Sequence, residues 1–359
     1  MSEDHEDVVP EIPLTRSPPS PARLLLRRPF ITLVVAETLG NMGMWAFFLG
    51  VEAKAAYGFG ASASQLGLLL AAYSLVFLLA APGLGILADR WSPKWMLVLA
   101  YTASIGCIAV ALVGGSMPWM YLSLGLFAAT HAAVWPARGA LVPLLVDERY
   151  LVQANGMVGM AWQVPLIAGP ALAGLLIRLW GHGAPFVFAA AITATGVLTY
   201  LAVPDRRKEP EGAPERILPD LVAGFGEGFG TPELAWMLRR SVVGWVAMGL
   251  LITLEPLYVK EVLRRGQEVL GLVFSLQGTG ALVGSIVLAR LREGRGREHP
   301  MITLGFIGGG LGFLLYVGTT SVLTACIGAT LFGFGFTFFT SPAQALVQRV
   351  ARQPGKVTG

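Results

Sequence analysis

A carboxylate inside an apolar run is the first place to look for chemistry. Glu37 lies two turns into the run from Phe30 to Gly50, and Asn41 follows one turn later on the same helix face. A charge at that depth is costly and normally faces a cavity or a partner. In a later run His131 and Arg138 stand at i and i+7, again on roughly one face. A carboxylate, an amide, an imidazole and a guanidinium are groups that carry protons or hold a polar substrate. Glu255 precedes Pro256 near the end of another run, with Lys260 a turn further on. It either closes one side of a bundle or sits at the interface with its carboxylate in water. Gln163 and Gln277 are polar groups inside apolar runs, open to a cavity or to a neighbouring helix. Cys107 and Cys326 read as small packing residues, with no disulfide framework and no metal spacing.

These side chains need helices in lipid to hold them. Of 359 residues, 54% are hydrophobic and 13% charged, against roughly 25% charged in soluble domains. The apolar residues gather into runs of about 20, the length a helix needs to cross a bilayer core. Backbone groups in lipid must bond within their own segment, so helices are the expected solution. Ten spans are expected: 30–50, 65–87, 95–114, 119–141, 156–177, 185–203, 241–259, 269–289, 301–317 and 322–347. The fold class is therefore an all-α membrane protein, a polytopic bundle. Residues 1–29, acidic and then Pro-rich, read as a disordered cytoplasmic tail rather than a signal peptide. Residues 30–203 read as a six-helix bundle, 204–240 as a cytoplasmic linker whose later part is amphipathic, and 241–359 as a partial second bundle of four helices. Trp95, Trp119 and Trp180 stand at span ends, as interface anchors do.

Orientation follows from the basic residues. With the N-terminus inside, all 26 Lys and Arg except Lys54, Arg178, Lys260, Arg264 and Arg265 fall on the cytoplasmic side. The positive charge thus sets topology, and no nucleic-acid partner is implied. The halves also repeat. Tyr73-Ser74-Leu75 resembles Phe274-Ser275-Leu276, Leu87-Ala88 resembles Leu288-Ala289, and the Pro136 to Val142 segment resembles Pro342 to Val347. Span 8 then answers span 2, and span 10 answers span 4, a construction common in transporters.

The loop between spans 2 and 3 carries the strongest motif. Gly85 to Leu97 reads GILADRWSPKWML, with Gly85, Asp89, Arg90 and Lys94 in a tight charged turn. It closely resembles the signature loop of the major facilitator superfamily, with Ser92-Pro93 where that family often has Gly-Arg. Pro136-Ala137-Arg138, Gln153-Ala154-Asn155 and Gly169-Pro170 with Gly174 resemble the branch that holds siderophore exporters and macrolide efflux proteins. The span 5 segment is also similar to the antiporter motif, with Ala173 at its penultimate glycine; plain helix packing explains it equally well.

The resemblance implies a multi-pass inner-membrane transporter for a small molecule, working by alternating access and monomeric, with efflux as the direction. It implies that Asp89 pairs across the inner face and that Arg90 and Lys94 grip acidic groups or lipid. Spans 1 and 4 line the central cavity in that fold, so Glu37 and Arg138 are expected at similar depth, as a transport site or as a static pair closing the inner gate. No nucleotide motif is visible, so an ion gradient is the expected energy source and protons the expected ion. No cofactor is expected. Family members have twelve spans, and partners for spans 5 and 6 are missing here. The expectation is a shortened product, with a non-transporting remnant or scaffold as the alternative. An intramembrane enzyme is disfavoured: the chain has no His-Glu-x-x-His, no Gly-x-Ser-x-Gly and no pair of intramembrane aspartates.

Overall fold

A computed structural model of the protein describes residues 28–147, 150–206, 232–290 and 298–351. Among them are ten long helices: α1 (Arg28–Ala53), α2 (Ala63–Arg90), α3 (Pro93–Val113), α4 (Met117–Leu145), α5 (Leu151–Trp180), α6 (Ala184–Leu201), α7 (Pro232–Leu257), α8 (Gln267–Arg290), α9 (Glu298–Val317) and α10 (Val322–Ala351). They match the ten expected spans in order. Nine are long and apolar enough to cross a membrane. The tenth, α4, carries His131 and Arg138, which lower its mean hydropathy. Residues 1–27 of the expected tail and 207–231 of the expected linker lie outside the described residues. One boundary is corrected: α7 starts at Pro232, not Ser241, and takes the end of the expected linker into the helix. Proline suits the first helical turn, where its missing N–H has no partner to lose.

Turn chemistry places the ends. Ser62 caps α2 reciprocally with Gln65, the Ser62 N–H donating to Oε1 at 2.9 Å. Ser92 caps α3, with Pro93 in its first turn. Helix α5 stops at Gly181, whose φ of 80° favours glycine. Long apolar side chains stand on the outside of the bundle, such as Leu79 at 72% and Leu323 at 71% exposure. Such a surface suits lipid and not water.

Within the first six helices, α1 packs on α5 and α6, α4 on α2 and α3, and α3 on α6. In the second set α10 packs on α8 and α9. The two sets meet through α5 with α8 and α2 with α7. Two apolar cores result. One includes Phe47, Phe127 and Phe186 from the first half with Val259, Leu270 and Tyr316 from the second. It lies towards the face carrying the α1–α2 turn, here the α1–α2 face. The other, around Phe30, Leu97, Leu141 and Tyr200, draws, among the described residues, only on the first half and lies towards the opposite face.

The repeat is sharpest at the α1–α2 face. Helix α1 runs on into a π-helical turn, Lys54–Gly58, and α7 into another, Tyr258–Val262. Their closing bonds correspond: Phe59 N–H to Lys54 O and Ala61 N–H to Ala55 O, then Leu263 N–H to Tyr258 O and Arg265 N–H to Val259 O. Gly60 and Arg264 take the same left-handed turn, φ 65° and 54°. The Lys54 ammonium donates to Ala111 O and Gly114 O, both at 2.8 Å, at the end of α3. The Tyr258 hydroxyl lies 2.6 Å from both Tyr316 O and Thr319 O at the end of α9. In this register Leu66-Gly67-Leu68 answers Leu270-Gly271-Leu272, and Tyr73 answers Gln277. The sequence match of Tyr73 with Phe274 is therefore displaced at this face by about one turn. A three-residue match of common residue types does not fix a helical register.

Candidate functional site

Glu37 is fully buried. Its Oε1 accepts from the Tyr200 hydroxyl on α6. Its Oε2 accepts from an Arg138 guanidinium nitrogen at 3.3 Å and from Asn41 Nδ2 at 3.5 Å. Asn41 also donates to Ala161 O on α5 at 3.2 Å. The Arg138 guanidinium lies 4.3 Å from the centre of the Trp135 ring, and Tyr200 stacks on Tyr101 of α3 at 5.4 Å. Five helices therefore converge on one carboxylate, and both its oxygens are engaged. Glu37, Asn41 and Arg138 are brought together; Tyr200 was not singled out in the sequence, where it reads as an ordinary tyrosine near a span end.

His131 faces a different space. Its Nδ1 lies 2.7 Å from the Tyr73 hydroxyl, and its ring stacks on Trp162 at 6.3 Å. It lines a cavity of about 240 Å³ between the two halves, walled by α1, α2, α4 and α5 on one side and by α7 and α8 on the other. A small void of about 10 Å³, lined by Asn41, Tyr101 and His131, lies between this cavity and the Glu37 cluster. The cavity is mostly aromatic and aliphatic, yet three buried polar atoms in its lining have no partner: Trp45 Nε1, His131 Nε2 and Glu52 Oε2. Glu52 was missed because span 1 was expected to end at Gly50; the helix and its π turn run on to Gly58. The signal was present: Trp45, Phe48 and Glu52 recur at helical spacing along the same α1 face as Asn41.

Glu255 is 1% exposed, so the interfacial alternative is overturned. Its Oε1 accepts from Gln277 Nε2 at 2.7 Å and from the Tyr316 hydroxyl at 2.9 Å, while its Oε2 has no partner. The π turn after it draws Lys260 across the halves, where Nζ donates to Ala56 O at 2.6 Å. Two further bonds join the halves at the α1–α2 face: Tyr57 hydroxyl to Arg265 O at 3.2 Å, and Gln267 Nε2 with His182 Nε2 at 3.0 Å. Burial, and then the Lys54 ammonium, lower the pKa of His182, which favours the neutral ring that accepts from Gln267.

The other expected residues have plainer surroundings. Gln163 is half-buried on α5 and is not in the lining of the large cavity. In the charged loop, Lys94 is buried and donates to Leu201 O at 2.8 Å, at the end of α6, rather than to an acid. A helix C-terminus offers unpaired carbonyls and the negative end of a dipole. Arg90 is exposed, and Gly85 meets nothing that a side chain would strike. The Asp89 side chain lies outside the described residues. Gly169 packs on Trp45, while Pro170 and Gly174 form the crossing with α8. A Cβ on Gly271 would overlap Pro170 O, and one on Gly174 would come within 2.7 Å of Gln267 O.

The chain as a whole is similar to known proteins. The uncharacterized MFS-type transporter YfiS of Bacillus subtilis (strain 168) is 22% identical over 325 residues, 89% of this chain and 78% of its own length. The enterobactin exporter EntS of Shigella dysenteriae serotype 1 is 28% identical over 220 residues, 58% of this chain; the match spans half of the exporter. A crystal structure of nucleoside transporter NupG superposes with a TM-score of 0.71 at 13% identity, covering 90% of this chain and 82% of that one. The family model of the Major Facilitator Superfamily matches residues 18–359. With ten lipid-length helices, a repeated architecture and a cavity between its halves, the chain belongs to the Major Facilitator Superfamily of membrane transporters.

Proposed function

We propose that the protein exports a small molecule by alternating access, driven by protons. The observation that carries this is the asymmetry of its cores: among the described residues the halves share apolar packing towards the α1–α2 face, while the core at the opposite face draws on one half alone. Two bundles joined in this way can exchange which end is closed by rocking about the cavity. The basic residues orient the joined face outwards, so the cavity loads from the cytoplasm. The exporter named among the relatives supports that direction. The cavity histidine, the Asn41 void and the Glu37 cluster supply a polar route through an otherwise apolar bundle. One elementary charge crossing the field is worth about 2.3 kcal/mol per 100 mV, enough for uphill movement of a small solute.

The test uses proteoliposomes loaded with a pH-reporting dye. A panel of small molecules is added, and proton movement dependent on both protein and compound is read. The reading expects at least one compound to drive such movement and expects Glu37→Gln to abolish it. No compound-dependent proton movement across the panel would sink proton coupling. A Glu37→Gln variant that still builds a gradient from a pH difference would make Glu37 a gate residue and move the proton carrier to His131 or Glu255.

A further inference from the structure

The chemistry of the large cavity narrows what it holds. Its walls include Trp45, Phe48, Tyr73, Trp162 and Phe274. Trp45 and Trp162 meet edge to face at 5.8 Å, and Phe48 and Tyr73 at 5.2 Å, so both ring faces and ring edges are fixed in place. One carboxylate stands in this lining, Glu52, one turn beyond Phe48 on α1. Its Oε2 is buried and unpartnered. Among the described residues that line the cavity, none is lysine or arginine. The nearest guanidinium described above, Arg138, is already bonded to Glu37.

An anion in this space would meet the Glu52 carboxylate and, among the described lining residues, no lysine or arginine. A neutral apolar molecule would leave Glu52 desolvated and unmatched, which is costly. A cation answers both, because aromatic faces attract positive charge and do so more strongly when water is excluded. The volume equals that of about eight water molecules, so the ligand is small. We propose that the cavity binds an organic cation with an aromatic or branched aliphatic body, its positive nitrogen on Glu52 and its body among Trp45, Phe48 and Trp162. This deepens the transport reading and rests on it for the ligand's role as substrate. Trp45 Nε1 is left to donate to any acceptor the ligand carries.

The experiment uses the full chain in phosphatidylcholine nanodiscs, with empty discs as blank. The probes are radiolabelled phenylbutyltrimethylammonium, its neutral isostere with carbon in place of nitrogen, and phenylbutylsulfonate. The cation should bind at least tenfold more tightly than the neutral isostere, and the sulfonate should not bind measurably. Glu52→Gln should weaken the cation at least tenfold and leave the isostere within twofold, which also shows that the variant is folded. Glu52→Asp should keep most of the cation affinity. Equal binding of cation and isostere by the unaltered protein, or preference for the sulfonate, overturns the proposal. So does an unchanged cation affinity in Glu52→Gln. Counterflow in vesicles separates the two readings. A cation that binds in this pattern but is never carried removes the transport role and leaves the site; an anion carried in preference removes the site and leaves the transport role.

Discussion

Glu37 and Arg138 form a pair whose value depends on neither partner being left alone. The side chain of Arg138 is 11% exposed and that of Glu37 is not exposed at all. Removing one partner of a buried pair costs about 3–5 kcal/mol, chiefly because the other charge loses its match. Glu37→Ala should therefore lower the midpoint of thermal unfolding in detergent sharply. Arg138→Ala introduced into that variant should recover part of the loss, giving a coupling well beyond the independence expected of distant sites. Strictly additive losses in the double variant would show that the two do not act as a pair. Tyr200→Phe deletes one bond to a charged acceptor and should cost about 1.5–3 kcal/mol. The spacing of Glu37 with Asn41, and of His131 with Arg138, was readable because helical periodicity depends only on position. Tyr200 and Glu52 were not: what marks them is contact with a carboxylate or a cavity assembled from distant helices.

At the level of elements, crossings and turns set how the helices stand. Gly271 lets α8 approach the α5 backbone at Pro170, where any Cβ would overlap. On α9 a side chain at Gly308 would meet nothing within 4 Å, whereas one at Gly312, a turn further on, would come within 2.5 Å of Phe332 N on α10. Gly271→Val should cost about 1–3 kcal/mol by overpacking. Gly308→Val should cost clearly less, and equal losses in thermal stability would refute the crossing. The paired turns make a second prediction. Arg264 holds a φ that disfavours a side chain, while its counterpart Gly60 holds it freely. Arg264→Gly should stabilise the protein by up to about 1 kcal/mol, and Gly60→Ala should destabilise it by a similar amount. A fall in unfolding temperature for Arg264→Gly would mean that the arginine side chain contributes more than its backbone costs.

For the whole molecule, the joined face must part if the cavity is to open alternately. Ala56 and Lys260 meet there across the halves. With Cys107 and Cys326 replaced, Ala56→Cys with Lys260→Cys joined by a short bismaleimide should stop transport, while either single variant treated alike should not. Full transport by the linked protein would exclude opening at this face. Orientation has its own test. Single substitutions Ser2→Cys, Glu209→Cys and Thr358→Cys should resist an impermeant thiol reagent in intact cells, because nearly all basic residues then lie inside. Ready labelling at residue 209 would invert the orientation.

The membrane class, the order of ten helices and the charged loop were legible in the amino-acid sequence. Each depends on local quantities: the length of an apolar run, the position of a proline or a cap, the sum of charge in a turn. The Glu37–Arg138 pair was partly legible, because the resemblance of the charged loop and of spans 4 and 5 to a known family placed spans 1 and 4 side by side. Only the tertiary structure separated His131 from that pair and gave it to the cavity, buried Glu255 against Gln277 and Tyr316, and drew Glu52 into the cavity wall. It also corrected the repeat at the α1–α2 face, where matching π turns rather than matching residue types define the register. The physical reason is common to these cases. Helical periodicity fixes which face of one helix a residue occupies, but the neighbour of that face is chosen by packing among all the helices at once.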